Sequence, residues 1–174
     1  LNFALQAALN PPKPGKQERR FGELIFREGD RVMQTRNDYD VVWQKEDGTA
    51  GTGIFNGDVG KIAKIDPGGE LLEIIFDDRT ATYTSDMLAE LDMAYAMTVH
   101  KAQGSEYRGV VFVSAPCAPS LMVRGVLYTA ITRARELLVI VGDDSAVNKM
   151  AENDRRSRRY SGLKWRLRKG GEEK

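Results

Sequence analysis

The sequence predicts an α/β fold with a small β-barrel inserted into it, and three observations carry that expectation. After Leu91 strand and helix alternate: an apolar run at 110–113, a helical stretch over 122–134, and a continuous apolar run at 137–141. Runs of that last kind belong to parallel strands covered on both faces. Between about 38 and 91 the texture is instead one of short β segments, punctuated by Gly48, Gly51, Gly53, Gly57, Gly60, Gly68 and Gly69. Finally, 174 residues with 41% hydrophobic and 29% charged content suffice for one compact domain or two small ones, and contain no apolar run long enough for a membrane helix.

The elements follow in order. Residues 2–9, NFALQAAL, place apolar groups at helical spacing and stop at Asn10-Pro11-Pro12, because two prolines cannot continue the hydrogen-bond ladder. Residues 11–20 read as a polar connection. Residues 24–26 then lead through the turn signal Glu28-Gly29-Asp30 into a strand at 31–35. In the glycine-rich region 59–65 and 71–76 alternate or run apolar, Asp77-Asp78 offers a turn, and 80–84 is β-branched. That is the pattern of a strongly bent barrel about the size of a Src-homology-three-like one. Of its aromatic residues Trp43, Phe55 and Tyr83, two are expected inside, since small barrels need large core side chains; a ring left outside could stack on a base. The run 137–141 ends at Gly142-Asp143-Asp144-Ser145, a turn with N-cap candidates, so a helix is expected from Ala146.

Composition narrows the chemistry. One cysteine, Cys117, and one histidine, His100, cannot build a Cys/His zinc site or an internal disulfide, so no resident metal and a reducing, cytoplasmic setting are expected. The chain starts Leu-Asn with no basic segment before an apolar one, the start expected of a fragment without a signal peptide. Charge is uneven. Residues 155–169 hold eight basic residues and no acid; the remaining 18 basic residues face 25 acidic ones, a net charge of −7. A basic tail, 161–174 with the residues just before it, on an acidic body points to nucleic acid or another anionic partner, or else to a solvated terminus. Gly15-Lys16 and Gly60-Lys61 are not phosphate-binding loops, because Asn10 and Phe55 stand where the first glycine is needed and Gln17 and Ile62 where Ser or Thr is needed.

Two segments are dense in chemistry: TVHKAQGSEY at 98–107 and LYTAITRARELLVIVGD at 127–143. In the second, Arg133 and Arg135 stand at i and i+2 near a helix end and point in different directions, so at most one faces a given ligand. Together and in this order the two segments resemble motifs V and VI of the RecD-like superfamily-one helicases. LNFALQAALNPP, GDRVMQTRNDYD and IFNGDVGKI are similar to that family's approach to its barrel insertion, so the resemblance covers nearly the whole chain.

The resemblance implies a RecA-like second motor domain at 1–37 and 92–160, with the Src-homology-three-like barrel inserted at 38–91. It implies that Arg133 reaches the γ-phosphate of ATP across an inter-domain cleft, that Gln103, Gly104 and Glu106 approach the nucleotide, and that Thr98, His100 and Lys101 face single-stranded DNA. It leaves open whether Arg36 and Asn37 face nucleotide or DNA; Arg36 is set with the nucleotide group and Asn37 with the DNA group. ATP and Mg²⁺ are implied as cofactors, held mainly by an N-terminal motor domain of the same protein, and subunits of a nuclease complex are implied as possible partners. The activity implied is 5′ to 3′ translocation with duplex unwinding, in recombinational repair. Ala102 departs from the family, where many relatives carry Ser, and residues 44–50 lengthen the first loop of the barrel. Two other readings stay open on the residues alone: a nucleic-acid-binding module without an energy source, and a peptide-binding barrel on an α/β scaffold.

Overall fold

The structure, a computed structural model, describes residues 1–115, 117–155 and 162. Apart from Gly162 the expected tail at 161–174 lies outside the described residues, as do Trp165 and most of the basic cluster. The chain divides into two compact units, Leu1–Lys101 and Ala102–Lys174.

The first unit opens with helix α1 (Asn2–Leu9) and the hairpin β1 (Glu18–Phe21) and β2 (Leu24–Arg27). The strands β3 (Arg31–Gln34), β4 (Asp38–Gln44), β5 (Ala50–Ile54), β6 (Val59–Ile65), β7 (Leu71–Phe76), β8 (Arg79–Thr84) and β9 (Leu91–Met93) follow, with a 3-10 turn at Met87–Glu90. These seven form one antiparallel sheet in the order β5-β4-β8-β7-β6-β3-β9. It is wider than the expected 38–91 insertion, because β3 pairs with both β6 and β9. Alternation along β7 and β8 sends Leu72, Ile74, Phe76, Ala81 and Tyr83 inward onto Phe26, Val32, Ile54 and Ile62, all buried. The Tyr83 hydroxyl, inside that core, donates to Gln34 Oε1 at 3.0 Å. Burial raises its pKa, as a neutral phenol is far easier to desolvate than a phenolate.

Two differences from the sequence expectation share one cause, which is that charged and amide groups make contacts no apolar pattern registers. β1 was read as a connection; it is a strand whose Glu18 carboxylate holds Arg27 Nε at 2.6 Å. Helix α1 forms where expected but packs by the other face. Phe3 and Leu9 are exposed, while Asn2, Gln6 and Asn10, spaced by four, make the contacts. Their focus is Asp30, fully buried. Its Oδ2 accepts from Gln6 Nε2 at 2.6 Å and from the Arg27 amide at 2.8 Å; its Oδ1 accepts from Asn10 Nδ2 and the Tyr95 hydroxyl, both at 2.7 Å. Gly29 makes the turn into Asp30 with φ +89°, a conformation that costs other residues a side-chain clash.

The second unit holds β10 (Tyr107–Ser114), α2 (Arg124–Ile131), β11 (Ala134–Gly142) and α3 (Asp144–Glu152). β10 and β11 pair in parallel, with Val111 opposite Val139 and Phe112 opposite Ile140. Asp143 caps α3, accepting from the Ser145 hydroxyl and amide, and those bonds hold its carboxyl below the usual range. The strand pair was expected to be covered on both faces and is not: Val111 is 65% exposed and Leu137 60%. Two strands and two short helices cannot enclose a parallel ribbon.

Replacing Asp30 by Ala leaves four donors without an acceptor, at about 1–3 kcal/mol for each one that finds no water. The substitution should cost at least about 3 kcal/mol in urea unfolding and Tyr95→Phe about 1 kcal/mol. Burial, then the bond to Asp30, pushes the Tyr95 phenol up to about 12. A raised folded pKa gives stability that is complete below the unfolded tyrosine value of about 10 and is lost as pH rises through the folded one. Urea midpoints from pH 9 upward should therefore fall, and Tyr95→Phe should make that fall shallower.

Candidate nucleotide and DNA site

The segment 98–107 is a run of turns over 99–104 leading into β10. The division between the two units falls within it, between Lys101 and Ala102. In the first unit Thr98, His100 and Lys101 are all exposed. Thr98 Oγ1 accepts from the Lys101 amide at 3.3 Å, which closes the turn and holds the lysine on the surface, where its Nζ lies 3.0 Å from Asp92. An exposed pair of this kind is worth about 0–1 kcal/mol, so the ammonium can leave Asp92 for a phosphate at small cost. Arg36 and Asn37 lie elsewhere on the same unit, in the loop between β3 and β4. Arg36 is exposed; Asn37 Oδ1 accepts from the Asn56 amide at 3.0 Å.

In the second unit the parallel register sets Tyr107 opposite Ala134, and the Tyr107 amide donates to the Arg133 carbonyl at 2.8 Å. The residues preceding the two strands are thereby side by side. Arg133 uses this fully: Nε donates to the Thr129 carbonyl at 3.1 Å, Nη1 to the Ser105 carbonyl at 2.8 Å and Nη2 to Thr132 Oγ1 at 3.2 Å. Thr132 in turn donates to the carbonyls of Tyr128 and Thr129, so the two side chains close the C-terminus of α2 and end it at Ile131 rather than at 134. A guanidinium also suits the negative end of a helix. Glu106 pairs with Arg135 at 2.9 Å, while Glu136, next to Arg135 in the chain, takes Arg108 at 3.0 Å.

Gln103 and Gly104 are exposed beside this cluster. Gly104 has φ +92° and open space where a Cβ would stand, so its backbone is bare to an approaching ligand. Ala102 is buried, and a serine there would need a partner for its hydroxyl inside the fold. Within the second unit the structure thus brings Gln103, Gly104, Glu106 and Arg133 together, while Arg36 belongs to the first unit. Sequence reasoning missed the Ser105 carbonyl and Thr132, because a backbone acceptor has no residue signature. Among the described residues no group of three or more His, Cys, Asp or Glu side chains is placed to hold a metal ion.

Residues 1–76 match the family described as the SH3 domain of ATP-dependent RecD-like DNA helicases, and residues 93–141 the one described as the UvrD-like helicase C-terminal domain. The chain belongs to the RecD-like helicases. It is 37% identical over 158 residues to the ATP-dependent RecD2 DNA helicase of Deinococcus radiodurans, an alignment that covers 91% of this chain and 20% of that protein. It is 30% identical over 143 residues to the RecBCD enzyme subunit RecD of Mycolicibacterium smegmatis, covering 82% of this chain and 23% of that one. The chain therefore spans about a fifth of the length of the relatives it matches. A Pif1 helicase from Bacteroides, solved with ADP-AlF3 and single-stranded DNA, superimposes with a TM-score of 0.53 at 17% identity over 98% of this chain and 43% of that one, a likeness of fold. The RecD-like membership and this likeness agree with an α/β fold carrying a small SH3-like barrel.

Because Arg133 ties α2 to Ser105, Arg133→Ala should release the 103–107 turn, seen as faster amide hydrogen exchange there with the barrel unchanged. Thr132→Val should cost about 1 kcal/mol through the uncapped carbonyls, Thr132→Ser much less. Arg135→Ala removes only an exposed pair and should cost less than about 1 kcal/mol.

Proposed function

We propose that this chain is the C-terminal motor part of an ATP-dependent DNA helicase that moves 5′ to 3′ on single-stranded DNA and unwinds duplex, in recombinational repair in the cytoplasm. In this reading the motor comprises 1–37 and 92–160 around the barrel, and works against an N-terminal motor domain of the same protein. The observation that carries it is the position of Arg133: at the end of α2, immediately before a parallel strand, hydrogen-bonded to the turn that holds Gln103 and Gly104.

The residues present fit one side of a nucleoside triphosphate. They offer a guanidinium, a primary amide and a bare glycine backbone, all donors suited to phosphate oxygens. Glu106 adds an acceptor for ribose hydroxyls. With no metal-ligating cluster among the described residues, Mg²⁺ is assigned to the N-terminal domain. Phosphoryl transfer is accelerated mainly by positioning and by neutralising charge. Arg133 would leave Ser105 and Thr132 for the γ-phosphate when the cleft closes, which makes hydrolysis depend on closure. Lys101, with Thr98 and His100, would hold the DNA backbone, so that opening and closing displace one grip relative to another. The relatives support this reading, as one is an ATP-dependent DNA helicase and another a subunit of the RecBCD enzyme, so that nuclease-complex subunits are candidate partners of the full protein.

In the full-length protein Arg133→Ala should leave ATP binding largely intact while steady-state hydrolysis falls by about 10³–10⁵, the range other arginine fingers supply. Arg133→Lys keeps the charge, loses the planar fork and should recover only a small part. The 174-residue chain alone should hydrolyse no ATP. Near-normal turnover by Arg133→Ala together with a dead Arg135→Ala would move the role to Arg135 and overturn the assignment.

A further inference from the structure

We propose that Tyr39 and Phe55 form a stacking platform for an unpaired base of single-stranded DNA, an inference that rests on the DNA-translocating reading above. Tyr39 is 66% exposed and Phe55 41%, although the barrel core already has its rings in Phe26, Phe76 and Tyr83. The two exposed rings meet edge to face, with centroids 5.6 Å apart and planes at 71°. Such a pair fixes each ring while leaving π surface open to solvent.

The backbone beneath them is fixed as well. Asp38 pairs with Ile54 across β4 and β5, which sets Tyr39 and Phe55 at the same end of that hairpin. The Phe55 amide donates to Asp58 Oδ2 at 3.1 Å, and the bond from the Asn56 amide to Asn37 joins the two loops. Gly53, with φ +97°, lies so close that a Cβ on it would stand 3.0 Å from the Phe55 ring. Little ordering remains to be done on binding, and a prearranged flat surface is what a base requires.

The polar surroundings decide between a base and a peptide. Arg36, three residues before Tyr39, is exposed and makes no hydrogen bond or ion pair among the described residues, so it is available to a phosphate or a base face. Asp38 and Asp40 would oppose a phosphate and attract a basic peptide. Asp38 Oδ1 is taken by the Asp40 amide at 2.9 Å, and both carboxylates line a groove with Val41, Val42, Trp43 and Thr82. The aromatic pair thus sits with a cation, two asparagines and the Asp58 carboxylate, whose charge Arg79 offsets at 3.2 Å. The loop holding Arg36 and Asn37 therefore belongs with DNA.

The test is binding of fluorescein-labelled oligodeoxythymidylate to the full-length protein over a series of salt concentrations. Tyr39→Leu and Phe55→Leu keep apolar bulk and lose the ring; each should weaken binding at least about fivefold, which is ~1 kcal/mol at ~1.4 kcal/mol per tenfold. Tyr39→Phe should bind as wild type. The slope of log affinity against log salt should not change in the Leu variants, because stacking releases no counterions, whereas Lys101→Ala should flatten it by about 0.7. Oligonucleotides carrying 5-bromodeoxyuridine should photocrosslink to the peptide holding Tyr39 or Phe55. Unchanged affinity in both Leu variants with no such crosslink, while Lys101→Ala still weakens binding, overturns the platform and leaves the pair as a protein contact. If Lys101→Ala has no effect either, the DNA-gripping reading itself fails.

Discussion

One buried carboxylate ties the pieces that flank the barrel of the first unit to one another. Asp30 gathers α1 through Gln6 and Asn10, the end of β2 through the Arg27 amide, and the segment after β9 through Tyr95. The last of these, Tyr95, lies 65 residues along the chain from Asp30. An ion taken out of water is tolerated only where its lone pairs are filled, and here four donors fill them. The consequence is a geometric specification that apolar packing alone does not give. A leucine core tolerates sliding; four converging hydrogen bonds on two oxygens do not. The helix that precedes the barrel therefore has one seat on it, and the turn at Gly29 one shape.

The second unit is organised by register instead. Parallel pairing of β10 with β11 is what makes two segments about thirty residues apart into a single site. Tyr107 opposite Ala134 leaves Ser105 and Glu106 beside Thr132 and Arg133, and in this register the Ser105 carbonyl lies 2.8 Å from that guanidinium. A connection of a dozen residues or more is required between parallel strands, and the helix that supplies it delivers Arg133 at its C-terminus. The arginine is then a capping group and a candidate finger at once. All three of its partners are uncharged oxygens, and hydrogen bonds to them are worth far less than one to a developing phosphate charge. Arg133 is stably held without a ligand and still releasable to one.

The extent to which this was legible in the sequence follows from the kind of signal each feature carries. Glycine spacing and alternation marked β6, β7 and β8, and the run 137–141 marked β11, because burial of apolar side chains leaves a period in the sequence. The same rule gave α1 its limits and the wrong face, since Gln6 and Asn10 carry no hydropathy signal. It passed over β1 for the same reason, as a strand held by Glu18 and Arg27 looks like a polar linker. Arg133, Gln103 and Gly104 were singled out through the resemblance of their two segments to helicase motifs V and VI. Their common partner, the Ser105 carbonyl, could not be, because every residue has one. Tyr39 was overlooked among the barrel aromatics: an aromatic flanked by Asp38 and Asp40 reads as a loop, and only the pairing of β4 with β5 brings Phe55 to it.

The two units differ in how complete each is as a folded object, and this bears on what the exposed strands require. The barrel sheet has a closed core in which Ile62, Leu72, Ile74 and Tyr83 are fully buried. β10 and β11 instead present Val111, Val113, Leu137 and Val141 to solvent, in a parallel ribbon of two strands among the described residues. Burial is worth roughly 25 cal/mol per Å² of apolar surface, so each of those side chains forgoes on the order of 1–2 kcal/mol while it stays exposed. Their β-branched, uninterrupted sequence is suited to a covered parallel sheet and poorly suited to water. The stability of the Arg133 cluster, which rests on this ribbon, is consequently set by whatever covers the strands, whereas the Asp30 hub carries its own support. Coupling between the rest of the protein and the arginine would then run through the strands themselves: packing on β10 and β11 fixes the register, and the register fixes Ser105 against Arg133.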